Sequence, residues 1–242
     1  MTDPNSASAW DTIYLTEGGI ATWRTYPKAF AAVRQITAIC KCGHKKEKHL
    51  ECEDDNGFHC MECWTKPNGC MDYTSFPQSV LEFGCGVGIL AKLLSDDGHF
   101  VTGVDISPFA IKTMAREFGI AGQIWDMRDL PTMFATGEFD WVVATEFLEH
   151  FTEFDANRIV KEAARVGKRA IFIVPNNTLP PHECKEHLNT FTPYSLTLLL
   201  LKHYKHVKLA AFDDIFEIDP SIYLNGVIAL RSLLAECSNL ED

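Results

Sequence analysis

The sequence predicts an α/β fold: a Rossmann-like three-layer sandwich around a seven-stranded, mostly parallel sheet, with a small Cys/His-rich insert. Three observations carry that expectation. From residue 80 onward, apolar runs of strand length alternate with amphipathic runs of helix length. The first run leads into glycines at 84, 86 and 88, and the second closes on an acid, Asp105. Six of the 9 cysteines fall between residues 40 and 70, where aliphatic residues are scarce.

The 242 residues, 46% of them hydrophobic, suffice for one sizeable domain with an insert. The expected organisation is a helical segment over 1–39, the insert over 40–75 and the sheet domain over 76–242. The first ten residues read as a frayed tail. From Thr22 to Ile39 the spacing of Tyr26, Phe30, Val33 and Ile36 predicts a helix, with Pro27 in its first turn. Val80–Phe83 is the first sheet strand, and a helix runs from Gly88 to about Leu94. Phe100–Asp105 is the second strand. Ser107 caps the next helix, Pro108 opens it and Gly119 ends it. Ile120–Trp125 is a third strand, weakened by Gly122. Asp140–Ala144 is the fourth. A helix from near Asp155 to near Gly167 leads into a fifth, Arg169–Val174, which Pro175 stops. The last helix starts about Thr192, with Pro193 at its first position, and ends near Lys202. His206–Phe212 and Asn225–Arg231 complete the sheet. Ligands of such sheets lie at the carboxyl ends of the strands.

The loop after the first strand carries the chemistry. Glycines let a backbone approach a ligand without a Cβ in the way. The helix start behind them offers free N–H groups and positive potential. An acid at the tip of the second strand suits two ribose hydroxyls, which points to Asp105. The dinucleotide fingerprint requires glycine at the sixth position of GCGVGI, where Ile89 stands, and the chain has no G-K-S/T phosphate loop. A nicotinamide enzyme is the competing reading of the glycines.

Four segments together resemble the class I S-adenosylmethionine-dependent methyltransferases: Glu82–Gly88, Val104–Ser107, Trp125–Pro131 (WDMRDLP) and Phe139–Phe151 (FDWVVATEFLEHF). The resemblance spans about residues 79–232. It implies a seven-stranded sheet whose last strand is antiparallel, and S-adenosylmethionine as methyl donor. It implies that Glu82, Gly84, Cys85, Gly86 and Gly88 surround the methionine part, with Glu82 orienting loop amides or the ammonium group. Asp105 then accepts from the ribose hydroxyls and Asp126 faces the adenine amino group. Met127 and Ile106 pack on the ring, Thr145 borders the methyl group, and Tyr14 closes over the donor.

Methyl transfer is an in-line displacement, so alignment is the large term, and a base helps hydroxyl or carbon acceptors most. His150 is the candidate base, because an imidazole titrates near the working pH. Glu149 and His187 join it as candidate catalytic residues; loop fixing is the rival role for Glu149 and His150. Glu146, Glu149, His150 and His187 also resemble the two-Glu, two-His metal site of small-RNA 3′-end 2′-O-methyltransferases. That gives a second reading, a metal-dependent RNA ribose 2′-O-methyltransferase. A non-catalytic scaffold carrying a zinc module is a third.

The insert cannot build a core, so a metal or disulfides must hold it. Cys60-x-x-Cys63 is a zinc half-site, and Cys42 with His49 supplies the other half. Cys40, His44 and Cys70 are substitutes. Such a zinc is structural.

The net charge of −11 argues against a broad grip on nucleic-acid phosphates. No apolar run reaches spanning length, and LTLLLLKHY from Leu196 is too short. The first residues lack a basic region followed by an apolar core. The expectations are a cytoplasmic protein, a small-molecule acceptor, no nucleic-acid or membrane partner, and a monomer or homodimer.

Overall fold

The computed structural model describes residues 3, 5–16, 49–51, 58–60, 77–176, 186–212, 223–224, 227–228 and 232–240. Helix α1 is Ala7–Thr16. The hairpin β1 (His49–Glu51) and β2 (Phe58–Cys60) stands apart from the main sheet. Then follow β3 (Ser79–Phe83), α2 (Ile89–Asp96), β4 (Phe100–Asp105), α3 (Pro108–Phe118) and β5 (Ala121–Ile124). The second half comprises β6 (Phe139–Thr145), α4 (Glu153–Val166), β7 (Gly167–Pro175), α5 (Pro193–Leu200) and β8 (His206–Phe212). It closes with the short pair β9 (Tyr223–Leu224) and β10 (Val227–Ile228), and with β11 (Ser232–Ser238).

The main sheet has seven strands in the order β5-β4-β3-β6-β7-β11-β8. Its pairs are parallel except those of β11, which runs antiparallel to both β7 and β8. The chain steps outward from β3 to β5, then returns to lay β6 on the other side of β3. That reversal opens a crevice at the carboxyl ends of β3, β4 and β6.

Alternate residues of each central strand face opposite layers. Leu81, Phe83, Val142, Phe172 and Val174 pack under Ile159, Val160 and Ala163 of α4 and Leu196 and Leu200 of α5. Val80, Trp141, Val143 and Ile171 face the other way, onto Leu90 and Leu94 of α2. Ile111 and Met114 of α3 close that layer with Cys85 and Ala91. Burying each large apolar side chain contributes about 1.5–3 kcal/mol.

The helix ends follow local chemistry. Ser107 Oγ accepts the Ala110 N–H at 3.0 Å, Pro108 fills the first turn, and Gly119 leaves the helix at φ +69°. Thr152 caps α4 through the Asp155 N–H, and Thr192 and Ser195 form a reciprocal capping box on α5.

Two expectations are corrected. Residues 7–10 are not a frayed tail but the first turn of α1, whose preceding Ser6 carbonyl accepts the Trp10 N–H. The last sheet strand is Ser232–Ser238 rather than Asn225–Arg231, and Val227–Ile228 pairs instead with Tyr223–Leu224, outside the main sheet. The helix expected over Thr22–Ile39 lies outside the described residues.

Candidate functional site at the strand tips

The glycine loop is stitched to the tip of β4. The Gly84 and Cys85 N–H groups both donate to the Val104 carbonyl, at 2.8 and 3.1 Å. Gly86 N–H donates to Asp105 Oδ2 at 2.9 Å, and Ser107 N–H to Asp105 Oδ1 at 2.8 Å. Gly86 has φ +51°, and a Cβ there would lie 3.1 Å from the Tyr14 hydroxyl. A Cβ on Gly84 would lie 2.3 Å from the Phe147 ring, so that position has no room for a side chain.

Two carboxyl groups lie beneath this loop. Asp105 is buried, and burial raises its pKa while the Ser107 and Gly86 N–H groups oppose the shift. Glu82, at the end of β3, is 2% exposed, and its Oε2 has no hydrogen-bond partner among the described residues. Burial first, then the neighbouring Asp105, pushes its pKa well up. An unpartnered buried carboxylate oxygen beside a ligand loop suits a cationic group.

Residues 3 and 5–14 cross the crevice as a strap. Asp3 pairs with Arg128 at 2.6 Å. Asn5 Nδ2 donates to the carbonyls of His150 and Glu186, at 3.0 and 3.2 Å. Trp10 meets the His150 ring edge-on at 4.9 Å. The Asp11 carboxylate accepts from Ser107 Oγ and from the Phe109 N–H, tying α1 to the start of α3. The Tyr14 hydroxyl donates to Asp105 Oδ2 across 3.4 Å.

On the far side of Asp105, Asp126 accepts from Arg128 Nε, Nη2 and N–H at 2.7–3.0 Å. Burial opposes ionisation of Asp126, but these Arg128 hydrogen bonds hold its carboxyl below the usual range. Met127 is buried beside it.

Beyond β6, a single 3₁₀ turn, Leu148–His150, carries Glu149 and His150. His150 Nδ1 donates to the Glu186 carbonyl at 3.1 Å, and its ring meets that of His187 edge-on at 5.0 Å. Burial lowers the His150 pKa to about 4, so the imidazole stays neutral at neutral pH. Ligating atoms of Glu149, His150 and His187 all lie within 4.8 Å of one another.

The crevice has a cavity volume of about 160 Å³. Of the residues expected at the site, Tyr14, Gly84, Asp105, Ile106, Asp126, Met127 and His150 line it. Thr145 is buried behind the wall, the Cys85 thiol packs in the core beside Gly103, and Gly88 gives its Cβ space to Met114. Asn5, Trp10, Trp125, Arg128 and Phe147 also line the crevice without having been singled out by motif. Their signal was weak: Trp10 and Tyr14 are one helical turn apart, and Arg128 lies inside the WDMRDLP segment. Of the zinc candidates, Cys42 and Cys63 lie outside the described residues, while the backbone register of β1 and β2 sets His49 opposite Cys60.

Comparison with known proteins bears on the fold. A methyltransferase-domain family model matches residues 80–170. The putative methyltransferase solved in complex with the Trm112 methyltransferase activator of Haloferax volcanii superposes with a TM-score of 0.60 at 14% identity, covering 96% of this chain and 98% of that one. The fold is that of a class I methyltransferase. Among curated sequences, the ribosomal RNA small subunit methyltransferase C of Chromohalobacter salexigens is 33% identical over 125 residues, 48% of this chain and 37% of that protein. The ubiquinone biosynthesis O-methyltransferase of Bordetella avium is 36% identical over 94 residues, 37% of this chain and 38% of that protein. The chain thus spans just over a third of the length of these methyltransferases. Among the described residues no helix is long and apolar enough to cross a membrane.

Proposed function

We propose that this chain transfers a methyl group from S-adenosylmethionine to a small or medium-sized acceptor through an O, N or C nucleophile. One observation carries the reading: the glycine loop, the Asp105 carboxylate and the unpartnered oxygen of Glu82 converge at the tips of β3 and β4. When bound, S-adenosylmethionine supplies an electrophilic methyl group on a sulfonium. Glu82 suits the donor's ammonium, and Asp105 its ribose diol. At 3.4 Å the Tyr14 hydroxyl is a long contact that a sugar hydroxyl can replace. Arg128 favours the ionised form of Asp126, which suits an acceptor for an adenine amino group. The strap excludes water and fixes the acceptor's line of approach. His150, neutral and fixed by the Glu186 carbonyl, orients the acceptor rather than carrying charge.

Calorimetry with S-adenosylmethionine tests this reading. Binding by the wild type and its loss in Asp105→Ala support it. Silence in the wild type, or undiminished affinity in the variant, overturns it. Thermal protection by NAD instead of donor would favour a nicotinamide enzyme.

The grouping of Glu149, His150 and His187 favours a second reading, a divalent ion that engages a ribose acceptor. Two imidazoles and a buried carboxylate are suitable ligands. Methyl transfer to an RNA 3′ end that a chelator abolishes and a divalent ion restores would establish it.

For the insert, we propose a structural zinc held by Cys42, His49, Cys60 and Cys63, in a chain organised as 1–39, 40–75 and 76–242. The backbone register that sets His49 opposite Cys60 supports it. Cys60→Ser is expected to lose bound zinc; unchanged zinc content would defeat the assignment. A cytoplasmic location and a monomer or homodimer complete the proposal.

A further inference from the structure

We propose that a groove between α4 and the turn after α5 is a second ligand site that takes a compact phosphorylated anion. Its cavity volume is about 580 Å³, the size of a small-molecule site, and it shares no lining residue with the crevice at the strand tips. Four cations line it, Arg158, Lys161, Arg165 and Lys202, in a protein whose net charge is −11.

The single acid in the lining, Glu162, is already committed. It accepts from the Thr132 N–H at 2.7 Å and from Arg165 Nη2 at 2.7 Å. Arg158 donates to the Arg128 carbonyl at 3.2 Å and lies 3.5 Å from Asp155. Lys161 and Lys202 are exposed, and neither has a carboxylate within ion-pair distance among the described residues. Two unpaired ammonium groups therefore flank one concavity. Their field reaches the neighbouring His203, whose pKa is lowered first by burial and then by Lys161 and Lys202. His203 itself is fixed, with Nε2 donating to Asn157 Oδ1 at 3.0 Å and its carbonyl accepting from Asn239 at 3.1 Å.

The shape of the charge selects the ligand. Extended polyanions need a continuous basic track, and an acidic protein repels what lies beyond the groove. Among the described residues no Phe, Tyr or Trp lines the groove, and its one aromatic ring, His203, is already held by Asn157, so it offers a poor platform for stacked bases. Two uncommitted ammonium groups on one concavity, beside guanidinium groups already paired with Glu162 and Asp155, suit a compact phosphorylated anion.

Calorimetry with inorganic pyrophosphate at fixed ionic strength tests the site. The wild type is expected to bind one equivalent. K161E/K202E, or the milder K161Q/K202Q if charge reversal disturbs folding, should bind about tenfold or more weakly. S-adenosylmethionine affinity should be the same in all three proteins. Failure of the wild type to bind at millimolar pyrophosphate would overturn the proposal. So would equal pyrophosphate affinity in the variants. Tighter binding of single-stranded RNA through the same lysines would overturn it in favour of a nucleic-acid surface. Because donor binding is read separately, loss of this site and loss of the methyl-transfer reading are distinguishable.

Discussion

Glu82 stores instability that a ligand can release. Its folded-state pKa is raised well above the ordinary carboxyl value by burial and by Asp105. The folded protein therefore holds a proton that the unfolded chain has lost, and stability falls as pH rises above the ordinary carboxyl range. Glu82→Gln removes that penalty. The variant is expected to melt higher than the wild type at pH 8 without ligand, yet to bind S-adenosylmethionine more weakly. A variant melting below the wild type, with unchanged donor affinity, would show Glu82 to be a loop brace. His150 titrates with the opposite consequence. Its folded pKa is about 4, against about 6.5 unfolded, so between those values the unfolded chain binds the extra proton. Stability is thus fully present above pH 6.5 and declines as pH falls towards 4, by at most about 3 kcal/mol from this group. In urea titrations across that window, His150→Phe should show a shallower decline than the wild type; parallel curves would contradict the buried neutral imidazole.

At the scale of elements, what could be read from the chain was what local chemistry decides. α3 begins and ends where expected because Ser107, Pro108 and Gly119 each act within a residue or two of themselves. The strand tips carrying Glu82 and Asp105 were legible for the same reason. α1 was not, because its hold on the protein is tertiary: Asp11 reaches Ser107 and Phe109, and Trp10 reaches His150. β11 was displaced because Val227 and Ile228, read as part of the last sheet strand, pair locally with Tyr223 and Leu224 instead. The His150 pKa depends on how much chain closes around it, including Glu186 and His187, and no spacing in EFLEH encodes that. Asp11 allows a direct test of the strap. Asp11→Ala removes an acceptor for two α3 donors and should cost about 1 kcal/mol. Limited proteolysis should then cut within residues 5–16 faster than in the wild type while the sheet stays protected. Equal cutting rates would mean that α1 is held by its other contacts.

For the whole molecule, the distribution of buried side chains separates what folds the protein from what closes its site. The two packed layers run through β3, β4, β6, β7 and β11 and their helices, and no residue of α1 belongs to either. Trp10 and Tyr14 instead spend their surface on His150, Asp105 and the glycine loop. Removing residues 1–16 should therefore leave one cooperative unfolding transition of nearly unchanged denaturant slope, with the midpoint lowered only slightly. Leu81→Ala, by contrast, opens a cavity in the larger layer and should cost about 2–5 kcal/mol. Donor binding should respond in the opposite order. The truncated protein keeps Glu82 and Asp105 but loses the cover that excludes water, so donor release should quicken by about tenfold or more, whereas Leu81→Ala, where it remains folded, should retain affinity. A truncation that unfolds the sheet would make the strap part of the folding unit, and a truncation that leaves donor release untouched would remove its role in closing the crevice.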